Sequence, residues 1–184
     1  AVARSLRAGY DLVYVYAGHG LTTIQHFLSR RTNDRTDAYG GTKENRARLL
    51  LEVMAAIVSE IGSERTGLRL SPTNPGNDAG QDSEAQILFN YVMEQLGPLK
   101  LAFVHVIEGA TGGARDLSPF DFEALRARFK KDHARSAWIV NNGYTRAMAI
   151  DVVSKGAADM VAFGKAFIGN PDLVRRLRDD RPLA

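Results

Sequence analysis

Two kinds of apolar run alternate along the chain. Short blocks at Leu12–Tyr16, Gly67–Ser71, Leu101–Ile107, Ala137–Val140 and Met160–Phe163 have the length of strands and are bounded by turn residues. Longer stretches between them carry helical spacing. From Glu44 to Ile61, the residues Leu50, Val53, Met54, Ile57 and Ile61 recur three or four apart and predict one long helix. Ser83 is placed to cap a helix reaching Leu96, Ser118-Pro119 to start one running to Lys131, and Thr145 to open one through Lys155. Asn170-Pro171 starts a last helix, and the first residues read as a helix already under way. Polar, glycine-bearing loops follow Tyr16, Pro72 and Glu108, among them Thr73–Asp82 and Gly109–Gly113.

The order is a strand followed by a helix, five times over. Strands that are apolar on both faces and alternate with helices imply a parallel sheet covered by helices. An open nucleotide-binding sheet should carry G-x-G-x-x-G after its first strand, and this chain does not. It places polar residues at the C-terminal end of every strand instead: Tyr16 and His19, Arg69 and Ser71, His105 and Glu108, Asn141 and Asn142, Gly164 and Lys165. A closed barrel of eight βα units puts its chemistry there. The expected fold is therefore α/β, a partial (β/α)8 TIM barrel of about five units. Residues 1–184 are read as a single incomplete domain.

Composition narrows the function classes. With 45% apolar residues the chain can bury a real core. It carries 24 basic and 21 acidic residues, a net charge of only +3. The clusters Arg126–Arg135 and Arg175–Arg181 are interleaved with acids and read as solvated helix faces, so no nucleic-acid partner is expected. There is no cysteine, which excludes disulfides, thiolate metal sites and cysteine nucleophiles, and no metal site is expected. No stretch approaches the roughly 20 apolar residues of a membrane helix, and the start lacks the apolar core of a signal peptide. A cytoplasmic protein without membrane contact is the expectation.

Three motifs then carry a resemblance. Asn33-Asp-Arg-Thr-Asp-Ala-Tyr-Gly-Gly41, followed by Glu44-Asn-Arg-Ala-Arg-Leu49, resembles the signature loop and helix of the Old Yellow Enzyme family of FMN-dependent oxidoreductases. Gly67-Leu-Arg-Leu-Ser-Pro72 resembles that family's fifth barrel strand. The stretch from Val161 to Leu173, with Phe163-Gly-Lys165 at its start, resembles the eighth strand and phosphate loop. The resemblance implies a chain spanning strands four to eight, an FMN cofactor, NADH or NADPH as electron donor, and a small-molecule substrate.

It also implies site residues. Asn142, Gly143, Phe163, Gly164 and Lys165 would hold the FMN phosphate end, where glycines admit backbone N–H groups and Lys165 adds charge. The family usually has Arg at the position of Lys165, and Lys gives up the bidentate fork. Arg69, set between Leu68 and Leu70, would lie against the flavin's pyrimidine edge; a structural ion pair with Glu108 is the competing reading. Asp34, Arg35, Asp37 and Arg46 read as a loop held together by its own ion pairs.

The heptad Tyr14-Val-Tyr-Ala-Gly-His-Gly20 divides the family. Ene-reductases place a His, then a His or Asn three residues on, then a Tyr proton donor. Here Tyr16, His19 and Leu21 stand in those positions. Tyr16 and His19 are the expected catalytic pair. Their identities are similar to the amine-oxidising branch, the trimethylamine and dimethylamine dehydrogenases and N-demethylases, in which a Tyr/His pair handles the neutral amine. That branch has an acid on strand six, where His105 falls in this chain. Tyr14 is expected to pack inside the barrel, and His26 and His133 to be ordinary loop histidines. Three readings follow: an ene-reductase reducing activated alkenes through flavin N5, a flavin-dependent amine dehydrogenase, or a non-catalytic partial barrel. Two open sheet edges would invite self-association or a partner chain completing the barrel.

Overall fold

The protein is described by a computed structural model over residues 1–20, 22–73, 82–111, 115–132 and 135–184. Leu21, Gly113 and His133, singled out in the sequence, lie outside the described residues. Helix α1 (Val2–Arg7) leads into strand β1 (Val13–Ala17). There follow α2 (Thr23–Leu28), α3 (Lys43–Ile61), β2 (Thr66–Leu70), α4 (Ala85–Leu96), β3 (Phe103–Ile107), α5 (Phe122–Asp132), β4 (Ala137–Asn141), α6 (Arg146–Ser154), β5 (Met160–Ala162), α7 (Lys165–Gly169) and α8 (Leu173–Arg178).

The five strands pair in parallel in the order β1-β2-β3-β4-β5. A doubly wound sheet reverses its strand order at a switch point, whereas a barrel adds strands in one direction. The uninterrupted order is therefore that of a barrel segment. Strand residues two apart share a face. Leu68, Leu70, Val104, Val106, Trp138 and Val140 form one face and are buried with Leu50 and Met54 of α3, Leu88 and Phe89 of α4, and Leu125 and Phe129 of α5. Burying each such side chain contributes about 1.5–3 kcal/mol. The opposite face is open: Tyr14 is 41%, Tyr16 39% and Met160 47% exposed. No helix among the described residues is long and apolar enough to cross a membrane.

Helix boundaries show where local chemistry prevails over pattern. The helix expected to begin at Ser118-Pro119 begins at Phe122, where Asp121 supplies the cap, its Oδ1 accepting from Ala124 N at 2.8 Å. Ser83 does not cap α4; Asp82 Oδ1 accepts from Glu84 N at 2.9 Å, and the helix starts at Ala85. The last helix starts at Leu173 rather than at Pro171. Within the polar loop after β1 lies α2, capped by Thr22 Oγ1, which accepts from Gln25 N. Thr145 caps α6 as its sequence implies.

The signature loop is organised by buried polar groups. Asn33 Nδ2 donates to the carbonyls of Phe27 and Tyr39, both at 2.7 Å. Arg46 is fully buried on α3 and donates to Leu28 O at 2.9 Å, Asp82 Oδ2 at 3.0 Å and Glu84 Oε2 at 2.7 Å. It ties the end of α2, the α3 face and the entry to α4 together. Arg35 pairs with Asp37 on the surface. The reading of these charges as structural agrees with their partners. Arg46→Met leaves the nearly buried Asp82 carboxylate without its cation and should lower the unfolding free energy by about 3–5 kcal/mol. Arg35→Met, at an exposed pair, should barely move the urea midpoint.

Candidate functional site

Register decides which side chains meet. Tyr16 pairs with Arg69, Arg69 with His105, His105 with Ile139, and Ile139 with Met160. They form one row across the open face. The Arg69 guanidinium carbon stands 4.9 Å from the centre of the Tyr16 ring, a cation–π contact. Arg69 Nε is buried and has no hydrogen-bond partner among the described residues. The competing ion pair with Glu108 is not formed, since that carboxylate belongs to Arg115. A buried guanidinium N–H without an acceptor is costly; Arg46 Nε and Arg126 Nε share that condition, and what sets Arg69 apart is its place on the open sheet face beside Tyr16.

A hydrogen-bond chain crosses the sheet diagonally through the same row. Tyr14 Oη donates to His105 Nδ1, and His105 Nε2 donates to Asn141 Oδ1 at 2.8 Å. The Tyr14 and His105 rings are nearly parallel, with centres 5.9 Å apart. Gly67 of β2 lies between Tyr14 on β1 and Phe103 on β3: a Cβ there would lie 2.1 Å from the Phe103 ring, so glycine admits that ring, which packs edge-on against Tyr14. Tyr14 thus does more than the packing its sequence position implies. The signal was available, a glycine on the middle strand flanked by two ring-bearing neighbours. Burial, and secondarily the charge of Arg69, push His105 down to about 4, so its imidazole is neutral at pH 7. Burial raises the Tyr14 phenol above its ordinary range.

The ends of β1 and β2 are pinned together. His19 N donates to Ser71 Oγ, and His19 adopts φ +68°. A side chain at Gly18 would place Cβ 2.4 Å from Ser71 Oγ, so only glycine allows this approach. The turn sets His19 just beyond Tyr16, as the motif spacing implies. His26 Nε2 donates to Gly20 O at 2.8 Å and helps shape the loop.

The expected phosphate residues fall at two neighbouring strand ends. Asn142 and Gly143 follow β4 with φ of +101° and +69°. The Asn142 side chain donates to Glu108 O at 2.6 Å and Ala110 O at 2.8 Å. Its amide therefore shapes the loop, leaving the backbone of Asn142 and Gly143 as the part that can meet a ligand. Phe163 is half-buried after β5, Gly164 is the N-cap of α7, and Lys165 begins that helix on the surface. Nothing lies within 4 Å of where a Gly164 Cβ would sit among the described residues, so the approach to its backbone is open. These residues fit a phosphate-bearing cofactor: glycines at the last two strand ends, a lysine beside them, and an unsatisfied arginine donor in the row above Gly67.

The model of the NADH:flavin oxidoreductase / NADH oxidase family matches residues 1–184. The chain is 34% identical over 183 residues to 12-oxophytodienoate reductase 2 of Arabidopsis thaliana, covering 100% of this chain and 48% of that protein. It is 38% identical to 12-oxophytodienoate reductase 1 of Oryza sativa subsp. japonica, covering 100% of this chain and 47% of that one. The solved structure of the old yellow enzyme homologue from Zymomonas mobilis superposes with a TM-score of 0.88 at 36% identity, over 100% of this chain and 50% of the other. The chain spans about half the length of the curated relatives it matches. Its five-stranded sheet is accordingly part of a barrel.

The neutral His105 makes folding depend on pH. The unfolded chain protonates its histidine near 6.5, whereas the folded one resists until about 4. Unfolding therefore takes up a proton between those values, and stability falls as pH drops through that window. Urea unfolding of the chain and of His105→Gln from pH 7 to 4 should show a steeper loss in the parent. Imidazole nitrogen NMR should find Nε2 protonated and Nδ1 bare down to about pH 5.

Proposed function

Because the chain belongs to the NADH:flavin oxidoreductase / NADH oxidase family, we propose that it carries the FMN-binding half of an Old Yellow Enzyme-type oxidoreductase that draws electrons from NADH or NADPH and reduces the activated C=C bond of a small substrate. Arg69 carries this reading, with a buried Nε–H that lacks an acceptor on an otherwise open sheet face. The flavin supplies hydride transfer when bound. Arg69 stabilises negative charge at the flavin's pyrimidine edge, a preorganised cation where charge develops. Asn142, Gly143, Phe163, Gly164 and Lys165 hold the phosphate end. Lys165 acts there as a point charge.

Tyr16 and His19 face the substrate. A phenol and an imidazole can both donate to a carbonyl oxygen, and such donors polarise a conjugated alkene for hydride addition. Tyr16 also stacks on the Arg69 guanidinium, so the substrate-side donor and the cofactor-side cation are placed by one contact. Relatives named as 12-oxophytodienoate reductases support a reductase. The outer strands β1 and β5 are the seams at which further strands complete the barrel, on the same polypeptide, on a partner chain or from a second copy.

Adding FMN to the purified chain should perturb the flavin's visible spectrum, and a protein that leaves it unchanged contradicts the reading. Arg69→Met should weaken FMN binding about tenfold or more, the size of a lost hydrogen bond from a charged donor. Turnover assays with NADPH and cyclohexenone should show alkene reduction once the barrel is complete. Oxidation of trimethylamine with a dye acceptor, and no enone reduction, would assign the site to amine chemistry instead.

A further inference from the structure

We propose that Arg115 is a positioning residue for the cofactor-phosphate turn at Asn142-Gly143, an inference that rests on the flavin reading above. Arg115 lies in the segment between β3 and α5, which the family motifs do not reach. Its guanidinium is engaged on several sides. Nη2 donates to Glu108 Oε2 and to Tyr144 Oη at 2.9 Å, Nε donates to Asn142 O at 3.2 Å, and the group sits 4.6 Å over the Tyr144 ring. Tyr144 Oη in turn donates to Glu108 Oε2 at 2.6 Å. Glu108 is buried at the end of β3, so the cluster is anchored to the sheet.

What this cluster holds is an unfavourable backbone. Asn142 has φ +101°, a conformation unfavourable for a non-glycine residue that persists only where its surroundings hold it. Its side chain is fastened to Glu108 O and Ala110 O, and its carbonyl to Arg115. The Arg115 stem also covers Gly143, with its Cβ and Cδ 3.5 and 3.6 Å from where a Gly143 side chain would begin. The Arg115 charge is matched by Glu108, so this arginine is not the phosphate's counter-ion. It acts through the Asn142 carbonyl, fixing the direction in which the turn presents its backbone.

A positioning role at the phosphate end should separate FMN from riboflavin, which has no phosphate. Flavin fluorescence titrations of the chain, Arg115→Met, Arg115→Lys and Tyr144→Phe read both affinities. Arg115→Met should weaken FMN about tenfold and riboflavin by less than about twofold. Arg115→Lys should lose as much as Met, because an ammonium keeps the charge but cannot bridge Glu108 and Asn142. Tyr144→Phe keeps the ring and should show a smaller loss of the same selectivity, covering the case in which Arg115 variants fail to fold. Equal weakening of FMN and riboflavin, or retained FMN affinity in Arg115→Lys, overturns the role. If the parent chain binds neither flavin, the flavin reading fails and this inference with it. If the parent binds FMN and all variants match it, only the role of Arg115 fails.

Discussion

The parallel register of β1, β2 and β3 places Tyr16, Arg69 and His105 side by side on the sheet face opposite the helix-packed core. Everything of chemical interest follows from that constraint. An arginine in a strand whose other face is sealed by core side chains cannot turn away to solvent through the helix layer. Its two lateral neighbours offer a ring face and a neutral imidazole, neither of which takes the proton of Nε. The sheet therefore fixes the cation beside Tyr16 with its Nε lacking an acceptor among the described residues, where an acceptor on a bound cofactor would complete it. Solvation by water meets that need less well than a positioned anionic edge in a partly enclosed site.

The loops around this row are held by separate sets of hydrogen bonds. Arg46 and Asn33 fasten the long segment after β1 from beneath. Ser71 fastens its first turn from the next strand. The β4 turn is fastened by Glu108, Arg115 and Tyr144. The loops after β1 and β4 thus depend on polar side chains outside the proposed ligand-binding set. Supporting groups of this kind hold a site to geometry that a packed core alone does not impose.

Much of this was legible in the sequence, and the exceptions have physical causes. Strand and helix order is readable because short apolar runs bounded by turn residues and helices with a 3.6-residue period leave different apolar spacings. The conflict between Leu68 and Leu70 on one face and Arg69 on the other exposed the arginine as unusual before any coordinates. The starts of α4 and α5 differ from the serine-capped ones expected, because an Asp82 turn precedes Glu84 and Asp121 caps α5. The Tyr14–His105–Asn141 chain is not legible in the sequence, since it joins residues 91 and 36 positions apart that only the sheet register brings together. Arg115 sits in a polar loop without a motif, and only the fold brings it to Asn142.

The central claim concerns one proton. Arginine Nε–H signals can be followed by nitrogen-15 NMR, and Arg69→Met assigns the one from Arg69. On titration with FMN, the Arg69 Nε–H should shift downfield and exchange with water more slowly, as a donor acquiring an acceptor does. An Arg69 signal that stays in place while FMN binds elsewhere on the chain would contradict the account.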